Sequence, residues 1–206
     1  VRPKNSTFVP NTVFAPTSGL VTFDGGGTKT VFGTNVLFFG LTVAAGTTLV
    51  TSVPVEIDSA LTVGGVLTTL APINCDGTAT VQSASQWNAG AHTHTFGTSL
   101  SIAAATLNAV GGTFLFDGFS AGSVTSTPIL PNLVVAKLGG AAFSSSGVTV
   151  GGSFTLASGN LTTASTVVNG PVTMTGGIYS GGVLDVNGPV TFGGTLCVNA
   201  GTINVT

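Results

Sequence analysis

The sequence predicts an all-β chain, specifically a single-stranded parallel β-helix (β-solenoid) of about 18–22 residues per coil, and three observations predict it. A short motif recurs at a fixed spacing: VGGSFT from Val150, VNGPVT from Val168 and VNGPVT again from Val186, each 18 residues after the last. Apolar residues around the motif alternate with polar ones, as strands with one buried face require. Composition is the third. Thr, Val, Ser and Gly (31 of 206 residues) dominate, and only 5 % of residues are charged against 43 % hydrophobic. Helix formers are scarce and β-branched and turn residues abound.

The 18-residue unit reads as one coil. Val148 and Val150, then Phe154 and Leu156, then Val172 and Met174, then Val190 and Phe192 take the inward positions. Thr149, Thr155, Thr173 and Thr191 fall between them and point outward. Gly-Gly or Asn-Gly pairs mark the corners, with Pro171 and Pro189 beside them, where a missing N–H does least harm.

A longer echo covers the rest. Phe23-Asp24-Gly25, Leu41-Thr42-Val43 and LTVGG from Leu61 are followed, 93, 92 and 87 residues later, by Phe116-Asp117-Gly118, Leu133-Val134-Val135 and VTVGG from Val148. Two diverged copies, about 20–106 and 107–206, are therefore expected within one continuous solenoid over 20–206, preceded by an extended N-terminal arm or cap over 1–19. Asp24 and Asp117 read as Asp-Gly turn residues.

The run from Thr22 to Thr69, and more loosely Phe116 to Thr163, resembles the Gly/Thr/Val-rich β-strand repeats of large secreted bacterial surface proteins, adhesins and autotransporter passenger regions among them. The resemblance implies a secreted solenoid serving attachment or surface architecture, located outside the cell or at its surface, and it assigns no catalytic residue.

Mean hydropathy is +0.60, yet Gly, Thr, Ser, Asn and Pro interrupt every apolar run short of the ~18 residues a spanning helix needs. One Trp and one Tyr supply no aromatic girdle for a membrane barrel. Membrane insertion is not expected. With Arg2, Lys4, Lys29 and Lys137 as the whole basic complement and a net charge of -2, nucleic acid is not expected as a partner either.

The ends bear on association. The arm carries Pro3, Pro10 and Pro16 together with Phe8, Val9, Val13 and Phe14, too apolar for a free tail. It lies either on a neighbouring subunit or back on its own body. At the other end Val198, Ile203 and Val205 keep strand alternation with no polar cap. These seven residues are the expected subunit contacts of a head-to-tail homopolymer. The leading expectation is a structural subunit of an extracellular filament or surface assembly. An adhesin or carbohydrate-binding module of a larger secreted protein, with host or environmental glycans as partners, is the alternative.

No enzyme and no cofactor are expected. His92 and His94, two apart, would share a strand face at a spacing a metal can use, although no Cys, Asp or Glu lies within ten residues. Two exposed polar side chains in a loop-like insertion around Trp87 are the simpler expectation, with Trp87 in packing. Glu56 and Asp58 form the closest carboxylate pair, which glycosidic chemistry could use. Val53, Val55 and Ile57 take the inward positions there, leaving both acids facing solvent. Cys75 and Cys197 are either buried thiols or halves of a bridge within or between subunits. Asn5, Asn160 and Asn204 begin N-x-[ST] sequons.

Overall fold

Backbone hydrogen bonds in this chain run along one axis, because each strand pairs in parallel with the strand about one coil earlier and one coil later. The computed structural model describes residues 7–8, 18–34, 36–198 and 201–206, without the side chains of 7–8 and 195–198. They form a parallel β-solenoid of about 9 turns and about 19 residues per turn, with one short 3-10 turn at Leu138–Gly140.

After β1 (Thr7–Phe8), the first coil holds β2 (Leu20–Phe23) and β3 (Gly27–Val31), the second β4 (Val36–Val43) and β5 (Thr47–Thr51), and the third β6 (Val55–Val63) and β7 (Val66–Thr69). Next come β8 (Ile73–Cys75), β9 (Thr78–Val81) and β10 (Gln86–Asn88), then β11 (Thr93–Phe96), β12 (Leu100–Ile102) and β13 (Thr106–Asn108). The following coils hold β14 (Thr113–Phe116) and β15 (Gly122–Ser126), then β16 (Asn132–Ala136), β17 (Ala142–Ser146) and β18 (Thr149–Val150). The last three are β19 (Phe154–Ser158), β20 (Asn160–Ala164) and β21 (Thr166–Val168), then β22 (Val172–Gly181) and β23 (Val183–Val186), then β24 (Val190–Val198) and β25 (Thr202–Val205).

Three faces result. The first half of each long strand (β4, β6, β22, β24) stacks with β8, β11, β14, β16 and β19 as face one. Their second halves stack with β2, β9, β12, β15, β17 and β20 as face two. Face three is a six-stranded sheet from β1 to β13 and a four-stranded one from β18 to β25. At nine steps of about 4.8 Å the axial length is about 43 Å.

Period-2 alternation delivers one apolar side chain per coil to each interior column. Val36, Val55, Ile73, Phe114, Leu133, Phe154 and Val172 belong to one such column on face one, each 0–1 % exposed. The 18-residue motif appears directly in the register: Val150 lies on Val168 and Val168 on Val186. Thr149, Thr155, Thr173 and Thr191 lie outside the core. Coils approach too closely at some corners for any side chain, so that a Cβ on Gly77 would fall onto the Ser59 carbonyl oxygen.

The longer echo does not mark equivalent positions. Phe23 lies in face two and pairs with Val43, whereas Phe116 lies in face one between Phe96 and Val135. Likewise Leu61 is on face two while Val148 leads into β18 on face three. Strand followed by Asp-Gly or Gly-Gly recurs at corners on more than one face, so the motif alone does not fix which face it closes.

The arm is described only at Thr7–Phe8, whose backbone adds a parallel rung to β3 of the same chain, Thr7 on Thr30 and Phe8 on Val31. At this point it lies on its own body, as the second of the two sequence readings has it. Val9, Val13 and Phe14 lie outside the described residues, as does Asn5.

Candidate functional site

The interior holds a histidine ring. His94 continues the face-one column between Ile73 and Phe114 and is fully buried, which corrects the expectation of an exposed loop histidine. Its Nδ1 accepts a hydrogen bond from the Ile73 N–H (3.1 Å), and its Nε2 lies 2.9 Å from the Ala89 carbonyl oxygen. A carbonyl only accepts, so the proton sits on Nε2 and the ring is neutral. Burial holds its pKa down at about 4. His92 lies just outside β11, half-buried, its ring centroid 6.2 Å from that of His94. With both His94 nitrogens engaged by backbone, the pair offers a metal a single ligand, and the described residues contain no group of three ligating side chains.

Trp87 on β10 packs edge-on against His94 (centroids 5.1 Å), Phe96 and Phe114, and is fully buried. It is a core residue, as expected. Its indole N–H has no partner, a cost of about 1–3 kcal/mol that the surrounding aromatic packing offsets.

Glu56 and Asp58 face solvent on β6, and Glu56 accepts from the Asn74 amide at 2.7 Å. The coil adds partners that lie far away in sequence. Asp76 follows Asp58 one coil later at the same corner, and its pKa is raised, first by partial burial and then by the charges of Glu56, Asp58 and Asp117. The 18-residue interval between Asp58 and Asp76, equal to the repeat, was the signal in the sequence.

Lys137, at the same corner, has no exposed surface, and its Nζ donates to the carbonyl oxygens of Gly97 and Asp117, both at 2.5 Å. Desolvation lowers its pKa, opposed by the nearby Asp117 charge. It acts as an internal strut between coils, a role no sequence pattern announces.

Cys75 is a free, fully buried thiol in the face-one core, its pKa pushed up to about 11 by desolvation. The buried-thiol reading therefore holds for it, while the Cys197 side chain lies outside the described residues. Of the sequons, Asn160 has its amide oxygen buried and Asn204 donates its amide to Asp185 at 2.7 Å.

Two further regions present an open surface. One is the last described rung, where Phe192 and Val205 continue interior columns yet are 57 % and 58 % exposed; among the described residues β24 and β25 pair with β22 and β23. Ile203, the expected contact beside them, is partly buried against the core.

The other is the corner between faces two and three. Outward hydroxyls stack along face two without a shift of register: Thr22, Thr42, Thr62, Thr80, Ser101, Thr125 and Ser146 occupy successive coils. A second column beside it includes Ser123, bonded to Ser99 at 3.1 Å, as Thr125 is to Ser101 at 3.3 Å. Alongside run two grooves of about 440 and 380 Å³, the first reaching Thr106 and the second beginning at Ser101, both in the fifth coil. Gly64 and Gly65 line the first groove and admit nothing larger: a Cβ on Gly64 would lie 2.7 Å from Gln82 Oε1, and one on Gly65 would strike the Thr47 and Ala44 carbonyls.

Searches of protein-family models, curated protein sequences and solved structures find no match to this chain. No described helix is long and apolar enough to cross a membrane.

Proposed function

We propose that this chain is a structural, non-enzymatic subunit of an extracellular filament or surface assembly, related in kind to the Gly/Thr/Val-rich adhesin-like repeats. The carrying observation is the axial stack itself, about 9 turns of parallel rungs with few charges, on whose last described rung Phe192 and Val205 stand in core columns and are 57 % and 58 % exposed. Parallel rungs of this kind stack on one another through their backbone donors and acceptors, and a second copy offers rungs of the same kind. At the other end of the described solenoid, β2 lies at one edge of face two and β1 at one edge of face three. Low charge supports the same reading, because neighbours meet without ion desolvation.

The test is particle size against concentration by light scattering, with electron microscopy of the same samples. Fibres of one-coil width that shorten in a Phe192→Glu, Val205→Glu variant are the expected result. Monodisperse monomers at high concentration would overturn the proposal.

A further inference from the structure

We propose that the corner between faces two and three is a binding groove for a neutral polysaccharide chain lying parallel to the solenoid axis. The two stretches succeed one another along this corner, from Gly46 to Thr106 and from Ser101 to Gly147, over five coil steps or about 24 Å at the spacing of stacked strands. Its length, its charge and its hydrogen-bonding groups together select the occupant.

None of the residues lining either groove is charged. Asp58, Asp76 and Asp117 gather at the other end of face two, while Asp24 lies at the groove's own corner one coil before Ala45 and Gly46. A phosphate polymer or an acidic glycan would enter without a counter-charge, and a basic one would be drawn to that other corner. A lipid chain would meet hydroxyls and backbone where it needs apolar walls.

A peptide fares no better. Strands here run across the axis and spend their N–H and C=O groups on the coils above and below, so the groove presents no strand edge for an added β-strand. What it does present is uncharged hydroxyl and amide side chains in both stretches, Thr48, Gln86 and Thr106 in the first and Ser101, Thr125 and Ser146 in the second. A neutral polysaccharide carries hydroxyls at regular intervals on both edges and no charge to desolvate. Each sugar gains little, and affinity accumulates over the coils spanned, so binding depends steeply on chain length.

The proposal goes beyond the structural role and does not depend on it. Affinity electrophoresis through gels containing neutral glucans, xylans or mannans of graded length tests it, with alginate and heparin as charged probes. Retardation that grows with length of a neutral polysaccharide is expected. The Ala45→Arg, Ser83→Arg variant, which fills the groove from two exposed turns, should weaken it by about tenfold or more. Thr173→Arg, outward on face one, should leave it unchanged. No retardation by any neutral polysaccharide, retardation by the charged probes alone, or equal retardation of the groove variant would overturn the assignment. Assembly is read separately by light scattering, so failure of either proposal leaves the other standing.

Discussion

A fall in pH from 7 to 4 should destabilise this fold through a single ring, His94. Its folded pKa of about 4 lies below the ordinary 6.5, so in this interval the unfolded chain binds a proton that the folded chain refuses. The contribution is fully present above pH 6.5 and is lost as the pH falls toward 4. A gap of that size corresponds to about 3 kcal/mol, against a typical domain stability of about 5–15 kcal/mol. Geometry agrees in sign, because a proton on Nδ1 would face the Ile73 N–H that now donates to it. Half-buried His92 adds to the disfavour. Asp76 works the other way, since its raised pKa makes acid favour the folded state.

Comparison with His94→Phe separates these effects, because the variant keeps His92 and every acid. At pH 7 it should be less stable by about 1–3 kcal/mol, having left the Ile73 N–H without an acceptor. Urea denaturation of both proteins at pH 7, 6, 5 and 4 should show the difference shrinking to zero or reversing. Nitrogen-15 NMR of the His94 ring in the unaltered protein, which does not require the variant to fold, should show protonation at Nε2 and a titration midpoint near 4. A pH-independent difference between the proteins, or a midpoint near 6.5, would refute the buried neutral histidine.

Gly77→Ala should destabilise by about 3 kcal/mol or more in the same assay, since the new methyl group occupies the Ser59 carbonyl and only movement of a whole coil relieves it. Lys137→Met keeps the buried stem but strands the Gly97 and Asp117 carbonyls, for a loss of about 2 kcal/mol by thermal or urea unfolding. The Cys75 thiol should resist a disulfide-exchange reagent at pH 8 in the folded protein and react on adding denaturant, because it is both buried and protonated there. Peptide mapping assigns the modified residue, and fast labelling of Cys75 under native conditions would contradict the core placement.

The sequence by itself determined the solenoid, because a coil is a local unit: Val150, Val168 and Val186 sit one period apart, and their side chains fall in line once parallel coils stack. It also determined which Thr residues face outward and that Trp87 packs, since alternation and size decide both. Tertiary structure decided what depends on coils of unequal length. Leu100 to Val124 is a longer step than Val150 to Val168, so matching segments such as Phe23-Asp24-Gly25 and Phe116-Asp117-Gly118 land on different faces. His94 could be placed inside only once its column was known, because a histidine two residues from another reads as polar until Ile73 and Ala89 supply backbone partners for both nitrogens. The groove, the acid corner and the Lys137 strut are assembled from residues about 18 to 40 apart. Such sites form across the axis of stacking, and the sequence is written along the coil.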